Sequence, residues 1–334
     1  MMEQDLIIQD KTYRQLAGQL DRLPHALLLH GPRGIGKLQL AERFARFLLC
    51  EARGPGLEPC GRCNGCRWSL AGNHPDLRIV EPDAMARAPA LEEGDEEPKR
   101  SGKAKAKPSL EIRIEQVRAL DDFVHVGSHR GARRVIIIHP AENMNLPTAN
   151  ALLKNLEEPP PDAVFLLVAH RPARLLPTIR SRCVQVAVPL PDAAAAMHWL
   201  ETQGVKEAAG WLAFAGGAPL RALLCASDER GARIGAWRRA LDSGTPEAIE
   251  PGGDREEMEI LVDFLQKYAL DAVLASAGLA PKYGGRAPRM GEASLRQWLA
   301  YARELGRHRA LARHPLNPRL FAADMLGQFP GAWK

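Results

Sequence analysis

The sequence lacks the features that would assign it to a membrane or secreted class. It contains no apolar run approaching the ~20 residues of a membrane-spanning helix. Its first residues, Met1 to Asp5, lack the basic and apolar regions of a signal peptide. A net charge of +5, from 45 basic and 40 acidic residues, is too weak a bias to indicate nucleic-acid binding. We therefore expect a cytoplasmic protein, with no membrane association, whose cysteines stay reduced.

The chain is long enough, at 334 residues, for two or three domains with their own cores. Five short apolar runs, nearly continuous rather than alternating, are typical of parallel strands that helices cover on both faces. These runs lie at 26–30, 77–80, 135–139, 164–169 and 184–188. Segments with helical periodicity separate them, at 37–50, 114–126 and 149–156. The alternation predicts an α/β domain that ends near residue 188.

The remaining sequence has no strand pattern and is predicted to be helical. Glycine and proline breaks divide it into a small helical domain at 189–245 and a second helical domain at 246–334. Within the α/β domain, a charged stretch at 84–109 has too few apolar residues to offset the entropy of ordering. We expect it to be a disordered insertion. Its basic half could contact DNA, or the whole stretch could be a solvated loop.

The segment Gly-Pro-Arg-Gly-Ile-Gly-Lys-Leu, which begins at Gly31, is a phosphate-binding loop complete except at its last position. Backbone N–H groups around Gly31, Gly34 and Gly36 can hold an anion at a helix N-terminus. Lys37 supplies a positive charge to the same site. A hydrolysing loop carries Ser or Thr next, because that hydroxyl helps hold Mg²⁺. Leu38 has no oxygen to offer.

A second loss affects the same chemistry at a distant position. The apolar run at 135–139 should end in an acidic pair, one carboxylate for the metal and one for the attacking water. It ends in His139-Pro140 instead. We therefore expect no independent ATP hydrolysis by this chain. Two interpretations of the loop stay open: it holds ATP or ADP without hydrolysis, or it binds nothing.

Four of the six cysteines, Cys50, Cys60, Cys63 and Cys66, have the spacing C-x9-C-x2-C-x2-C. Two neighbouring Cys-x-x-Cys steps in a Gly-rich turn bring thiolates close enough to share a tetrahedral ion. Because four sulfurs leave no open position, we infer structural Zn²⁺ in a module at 50–66. A disulfide pair or unliganded thiols are the alternatives.

The tripeptide Ser181-Arg182-Cys183 precedes the last predicted strand. Arg182 is either a local salt-bridge partner or an arginine finger that points into the nucleotide site of a neighbouring subunit. Cys183 and Cys225 lie in apolar surroundings and are predicted to be small core residues.

The assembled pattern resembles the clamp-loader branch of the AAA+ ATPases. The segments that carry the resemblance are His-Ala-Leu-Leu-Leu-His at 25–30, Gly-Asn-His-Pro-Asp at 72–76, Asn-Ala-Leu-Leu-Lys-Asn-Leu-Glu-Glu-Pro-Pro at 150–160 and Ile-Arg-Ser-Arg-Cys at 179–183. The resemblance is strong over residues 20–190 and only architectural beyond about residue 230.

This resemblance implies a RecA-like AAA+ P-loop domain at 1–188 with the zinc module inserted, a helical lid domain at 189–245 and an all-α collar domain at 246–334. It also implies membership of a heteropentamer with other clamp-loader subunits. Such a ring uses ATP to open a sliding clamp and place it on primer–template DNA. This chain would be the stationary member, and Arg182 would act on ATP bound by the adjacent subunit.

The departures from the motor subunits of that family agree with this role. Motors that resemble this chain carry Ser or Thr at the position of Leu38 and Asp-Glu at His139 and Pro140. His170 stands where motors place a polar sensor after the fourth strand. Arg221 lies one position later than the usual lid sensor, so the resemblance does not support a sensing role for it.

The helical stretch at 258–275 is apolar around much of its circumference. We expect it to pack against unlike subunits, with a self-contained helical core as the alternative.

Two further function classes stay open, an active ATPase motor of the same complex and a zinc-dependent DNA-binding module. Against the motor, this chain lacks the metal ligands at Leu38, His139 and Pro140. The DNA-binding module would have only Arg62, Arg67 and Trp68 beside its cysteines.

Overall fold

The computed structural model describes residues 8–54, 56–86, 108–125, 133–250, 255–284, 294–312 and 317–330. The chain divides into two compact units, Met1–Pro191 and Asp192–Lys334. Each unit has its own buried apolar cluster. We describe the two units separately.

The first unit is an α/β fold around one parallel sheet, as predicted. Its strands are β1 Ala26–His30, β2 Leu77–Val80, β3 Arg134–Ile138, β4 Ala163–Ala169 and β5 Val184–Ala187. The strand order is β2-β3-β4-β1-β5, and every neighbouring pair is parallel. All five predicted strands are therefore confirmed, with ends that shift by at most one residue.

Helices connect and cover these strands. They are α1 Asp10–Ala17, α2 Lys37–Leu49, α3 Asn64–Ala71, α4 Ile114–His125, α5 Leu146–Glu157 and α6 Pro177–Arg182. Because the strands are parallel, the segments that follow β1, β3 and β4 meet at the edge of the sheet that the carboxyl ends of the strands form. The phosphate-loop segment and the His139-Pro140 segment are brought together in this way.

The expectation that all five strands are buried on both faces is wrong for the two edge strands. Every residue of β3 and β4 is buried, whereas Ile79 in β2 is 37% exposed and Val184 in β5 is 51% exposed. Helix α2 packs on the central strands β1, β3 and β4, so the edges receive less cover. In the outer strands β2 and β5, the apolar runs therefore predicted strand structure correctly but not full burial.

The predicted disordered insertion falls largely on residues 87–107, which lie outside the described residues. Its described ends are close together, because the Ala84 N–H donates to the Ser109 carbonyl over 3.0 Å. The insertion therefore leaves and rejoins the α/β unit at one place.

The second unit is helical throughout its described residues. Its helices are α7 Ala193–Thr202, α8 Ala208–Phe214, α9 Pro219–Ala226, α10 Asp228–Asp242, α11 Arg255–Ser276, α12 Leu295–Leu311 and α13 Pro318–Gly327. One buried cluster extends from Phe214 to Phe329. This cluster has members on both sides of the predicted boundary near residue 245, and that boundary stays a prediction.

Helix α11 supplies much of this core. Leu261, Phe264 and Leu265 are at most 1% exposed within the unit. Leu270, from the same apolar set, remains 37% exposed. A large part of the apolar surface that was expected to require unlike subunits is therefore covered by the chain itself.

No single helix in the described ranges is both long and apolar enough to cross a membrane. The pair α8 and α9 meets that length and composition only when taken together, and it is bent by 112°.

Arg221 takes part in an ion-pair cluster inside the second unit. Its guanidinium bonds the Asp263 carboxylate over 2.5 Å, and the Lys267 ammonium lies 2.6 Å from the same oxygen. Lys267 also lies 4.0 Å from the ring centroid of Phe214. Burial raises the pKa of Asp263, but the charges of Lys267 and Arg221 outweigh it and leave that pKa below its ordinary value. This contact joins α9 to α11.

We predict that Asp263→Asn destabilises the protein by about 3 kcal/mol, because it leaves the buried Lys267 without a counterion. The Lys267 side chain is only 8% exposed. Glu304→Gln is the matched control, since it removes one charge from the exposed pair with Arg307. That control should cost less than about 1 kcal/mol. Urea unfolding measures both changes, and equal effects would contradict the prediction.

Candidate functional site

The phosphate-binding loop lies between β1 and α2, which is the context that the motif requires. Gly34 and Gly36 have φ of 83° and 90°, and Gly36 is the N-cap of α2. A Cβ at Gly31 would lie 2.4 Å from the Val188 carbonyl oxygen. The glycines are therefore needed for the path of the loop, whether or not it holds an anion.

Lys37 is buried and bonds to its own loop. Its ammonium donates to the carbonyl oxygens of Gly31, at 2.8 Å, and Pro32. Burial lowers the pKa of Lys37 to about 8, and the nearby Glu142 carboxylate partly offsets that effect. The charge that a phosphate would need is therefore engaged by backbone oxygens.

Two histidines face each other at the ends of β3 and β4, and His139 occupies the first of the two positions where the acidic pair is missing. His139 follows β3 and His170 follows β4, and their rings meet edge to face with centroids 5.3 Å apart. Burial lowers the pKa of His170 to about 3, and the charge of Lys37 adds to the effect. His170 is therefore neutral at physiological pH.

Glu142 is the residue that sequence reasoning missed at this edge. Its carboxylate accepts the backbone N–H groups of His170, at 3.0 Å, and Arg171, at 3.1 Å. It thereby ties the segment after β3 to the segment after β4. An acidic residue three positions beyond His139 was the available signal, because it is a carboxylate near the place where the acidic pair is missing.

The four cysteines predicted to share an ion lie together. Their Sγ atoms are all within 4.8 Å of one another, and all four thiols are free of disulfides. The Cys60–Cys66 and Cys63–Cys50 Sγ pairs are each 3.9 Å apart. A tetrahedral site with metal–sulfur bonds of about 2.3 Å requires sulfurs about 3.8 Å apart. The cluster therefore has the size and the donors to hold a metal ion.

The local backbone prepares these sulfurs for thiolate charge. The N–H of Cys60 points to the Cys50 sulfur at 3.3 Å, and the N–H groups of Cys63 and Cys66 each point to the preceding cluster cysteine at 3.4 Å. Backbone N–H groups lower the pKa of Cys60 to about 6. Burial raises the pKa values of Cys50 and Cys66.

The cysteine cluster is packed against α1 and α2. A Cβ at Gly65 would lie 2.4 Å from the Leu49 carbonyl oxygen, so only glycine allows α3 to start so close to the end of α2. The Tyr13 hydroxyl donates to the Leu57 carbonyl over 2.7 Å, and Arg43 stacks on the Tyr13 ring at 3.8 Å. These contacts fix the turn that carries the cysteines.

Arg182 is the last residue of α6 and is about one-third exposed. Its Nη2 lies 2.6 Å from a Glu157 carboxylate oxygen, and its Nη1 donates to the Thr178 carbonyl over 3.0 Å. The local ion pair is therefore present, and the finger role stays a prediction. Cys183 and Cys225 lie in the apolar clusters of the first and second units, as expected.

Known proteins have sequences similar to this chain. The family model described as DNA polymerase III, delta subunit, matches residues 8–191. The chain belongs to this family. A DNA polymerase III subunit delta' of Pseudomonas aeruginosa is 44% identical over 218 residues, which are 64% of this chain and 59% of that protein. This relative and the one described next are both delta' subunits, so the chain is similar to delta' subunits.

A second subunit delta', from Yersinia pestis, is 39% identical over 249 residues, which are 71% of this chain and 64% of that protein. The matches thus span about three fifths of the length of these two relatives. Among solved structures, a DNA polymerase III gamma subunit-related protein of Thermotoga maritima has a TM-score of 0.49 at 15% identity. That comparison covers 95% of this chain and 97% of that protein.

We predict that His170 makes stability depend on pH. Its folded-state pKa of about 3 lies below its ordinary value of 6.5, so between these pH values the unfolded chain binds the proton that the folded chain does not. Stability therefore rises with pH across that window. The parent should lose up to about 2 kcal/mol of unfolding free energy through this group when the pH falls from 7.5 to 5. His170→Gln should not show this part of the loss.

Urea unfolding at both pH values measures this difference. His198→Gln is the matched control, since His198 is exposed. The prediction fails if His170→Gln and the parent show the same pH dependence.

Proposed function

We propose that the chain is a non-hydrolysing subunit of the clamp loader of the DNA polymerase III holoenzyme. In this role it supplies Arg182 as an arginine finger to an adjacent ATPase subunit while the sliding clamp is loaded on primed DNA. The observation that carries the proposal is the combination of an intact loop path with missing catalytic groups. Leu38 replaces the metal-binding hydroxyl, and His139 and Pro140 stand where the two carboxylates would be needed.

Hydrolysis in its own site would require groups that the geometry does not supply. Phosphoryl transfer depends on a positioned metal and a positioned water. The nearby Glu142 carboxylate accepts two backbone N–H groups, and Lys37 would have to exchange two loop carbonyls for phosphate oxygens. We therefore propose that the chain contributes to a DNA-directed DNA polymerase holoenzyme, a nucleotidyltransferase, without catalysis of its own.

The proposed partners are the delta and gamma or tau subunits in a heteropentamer. The sliding clamp and primer–template DNA would be reached through that complex, in the bacterial cytoplasm. We further propose that the sequence at 189–245 acts as the lid and that at 246–334 as the collar. The partly exposed Leu270 on α11 is available to a neighbouring subunit.

The metal in the four-cysteine cluster is proposed to be Zn²⁺ in a structural role. Four thiolates and no open position suit an ion that holds a fold together rather than one that binds substrate. Cys50, Cys60, Cys63 and Cys66 would hold it and link the end of α2 to the start of α3.

We predict one Zn²⁺ per chain. Cys63→Ser should lose the metal and lower the melting temperature by about 5 °C or more, because metal binding stabilises the folded module. Cys225→Ser is the control, since that buried cysteine lies outside the cluster and its loss should leave the metal content unchanged. Elemental analysis reads both variants. Zinc-free protein from a chelator-free purification would count against the site.

We predict that Arg182→Ala leaves the chain folded and assembled but lowers ATPase and clamp loading by the reconstituted complex. Arginine fingers contribute about 10³–10⁵ in rate at one site. A ring with several sites should lose less, about two- to tenfold. Arg182→Lys should rescue poorly, because lysine lacks the planar fork of donors.

Arg174→Ala is the matched control, since it removes an exposed positive charge from the neighbouring turn. The isolated parent chain, which should release no phosphate from ATP, is the second control. Wild-type loading rates in complexes that carry Arg182→Ala would refute the finger, and Mg²⁺-dependent phosphate release abolished by Lys37→Ala would refute the non-hydrolysing role.

A further inference from the structure

The Arg182 side chain is held at two of its nitrogens by groups from two helices. Glu157, at the end of α5, contacts Nη2 at 2.6 Å. Thr178, in α6, accepts from Nη1 over 3.0 Å. A guanidinium is planar, so contacts at both terminal nitrogens fix the plane of the group as well as its position.

The contact leaves the guanidinium accessible. Arg182 is 34% exposed and Glu157 is 49% exposed. The two contacts use two of the five N–H donors that a guanidinium carries. The remaining donors are the ones with which the group could bind a phosphate oxygen from outside the chain.

We propose that Glu157 is a positioning residue for Arg182. It holds one side of the guanidinium so that the other donors present a fixed geometry to the phosphate of a neighbouring subunit. The inference rests on the proposed trans role of Arg182. Without Glu157, the Thr178 carbonyl alone would restrain the group, and the long side chain would sample several rotamers.

The Glu157–Arg182 ion pair is expected to contribute little to folding stability. Exposed ion pairs contribute little to folding, because water screens the charges and ordering two side chains costs entropy. A catalytic benefit requires only that the guanidinium spends more of its time in the productive orientation. Loss of the Glu157 charge should therefore affect turnover more than folding.

The test uses the reconstituted complex with Glu157→Gln in this chain. We expect kcat for ATP hydrolysis to fall about two- to threefold, which corresponds to loss of one exposed ion pair. The KM for ATP should stay unchanged, because the neighbour's own loop binds the nucleotide. Glu157→Asp, which keeps the charge, should recover part of the rate.

Glu158→Gln is the matched control, since it makes the same change at the adjacent exposed residue. It should behave as the parent. The double variant Glu157→Gln with Arg182→Ala should be no slower than Arg182→Ala alone, because Glu157 acts only through Arg182. Thermal melting and size exclusion confirm that each variant is folded and assembled.

The outcomes separate this inference from the proposed function. If Arg182→Ala lowers the rate and Glu157→Gln matches Glu158→Gln, the positioning role is overturned and the finger stands. A faster Glu157→Gln complex also overturns it, since Glu157 would then hold Arg182 back. If Arg182→Ala has no effect, the proposed function itself fails.

Discussion

The common direction of the five strands is the constraint on which the first unit depends. Parallel pairing places the carboxyl ends of β1, β3 and β4 side by side, so the phosphate loop, His139 and His170 must share one edge. In a catalytic site this arrangement would gather a metal, a water and a nucleotide. In this chain it places Lys37 on the carbonyls of its own loop and Glu142 on the backbone at His170.

The same edge shows how the charges of Lys37 and Glu142 are accommodated within the chain. A buried ammonium is costly unless it is hydrogen bonded, and a half-buried carboxylate also needs partners. Lys37 uses loop carbonyls, and Glu142 uses backbone N–H groups at the end of β4. Burial keeps His170 neutral between them. Lys37 and Glu142 therefore both have partners within the chain, whereas His170 Nδ1 is buried without a hydrogen-bond partner among the described residues.

Local patterns predicted much of this molecule, because they report on local physics. Apolar runs located every strand to within one residue, and cysteine spacing located the cluster. Both signals are carried by residues that are close to one another in the sequence. The strand order, the role of Glu142 and the Glu157–Arg182 contact could not be predicted in that way. Glu142 acts on the backbone at His170, which is distant in sequence, and only the assembled sheet brings the two together. The boundary expected near residue 245 was argued from turn residues, whereas the shared core from Phe214 to Phe329 arises from packing.

The backbone hydrogen bond between Ala84 and Ser109 marks a place where the protein can be engineered. Where two ends of an insertion already meet, the entropy of closing the loop changes only slowly with its length. A reporter domain or a labelling sequence placed between these ends would start and finish at one point on the surface of the α/β unit. This position offers a way to attach a probe at residues that belong neither to the cysteine cluster nor to the Arg182 contact.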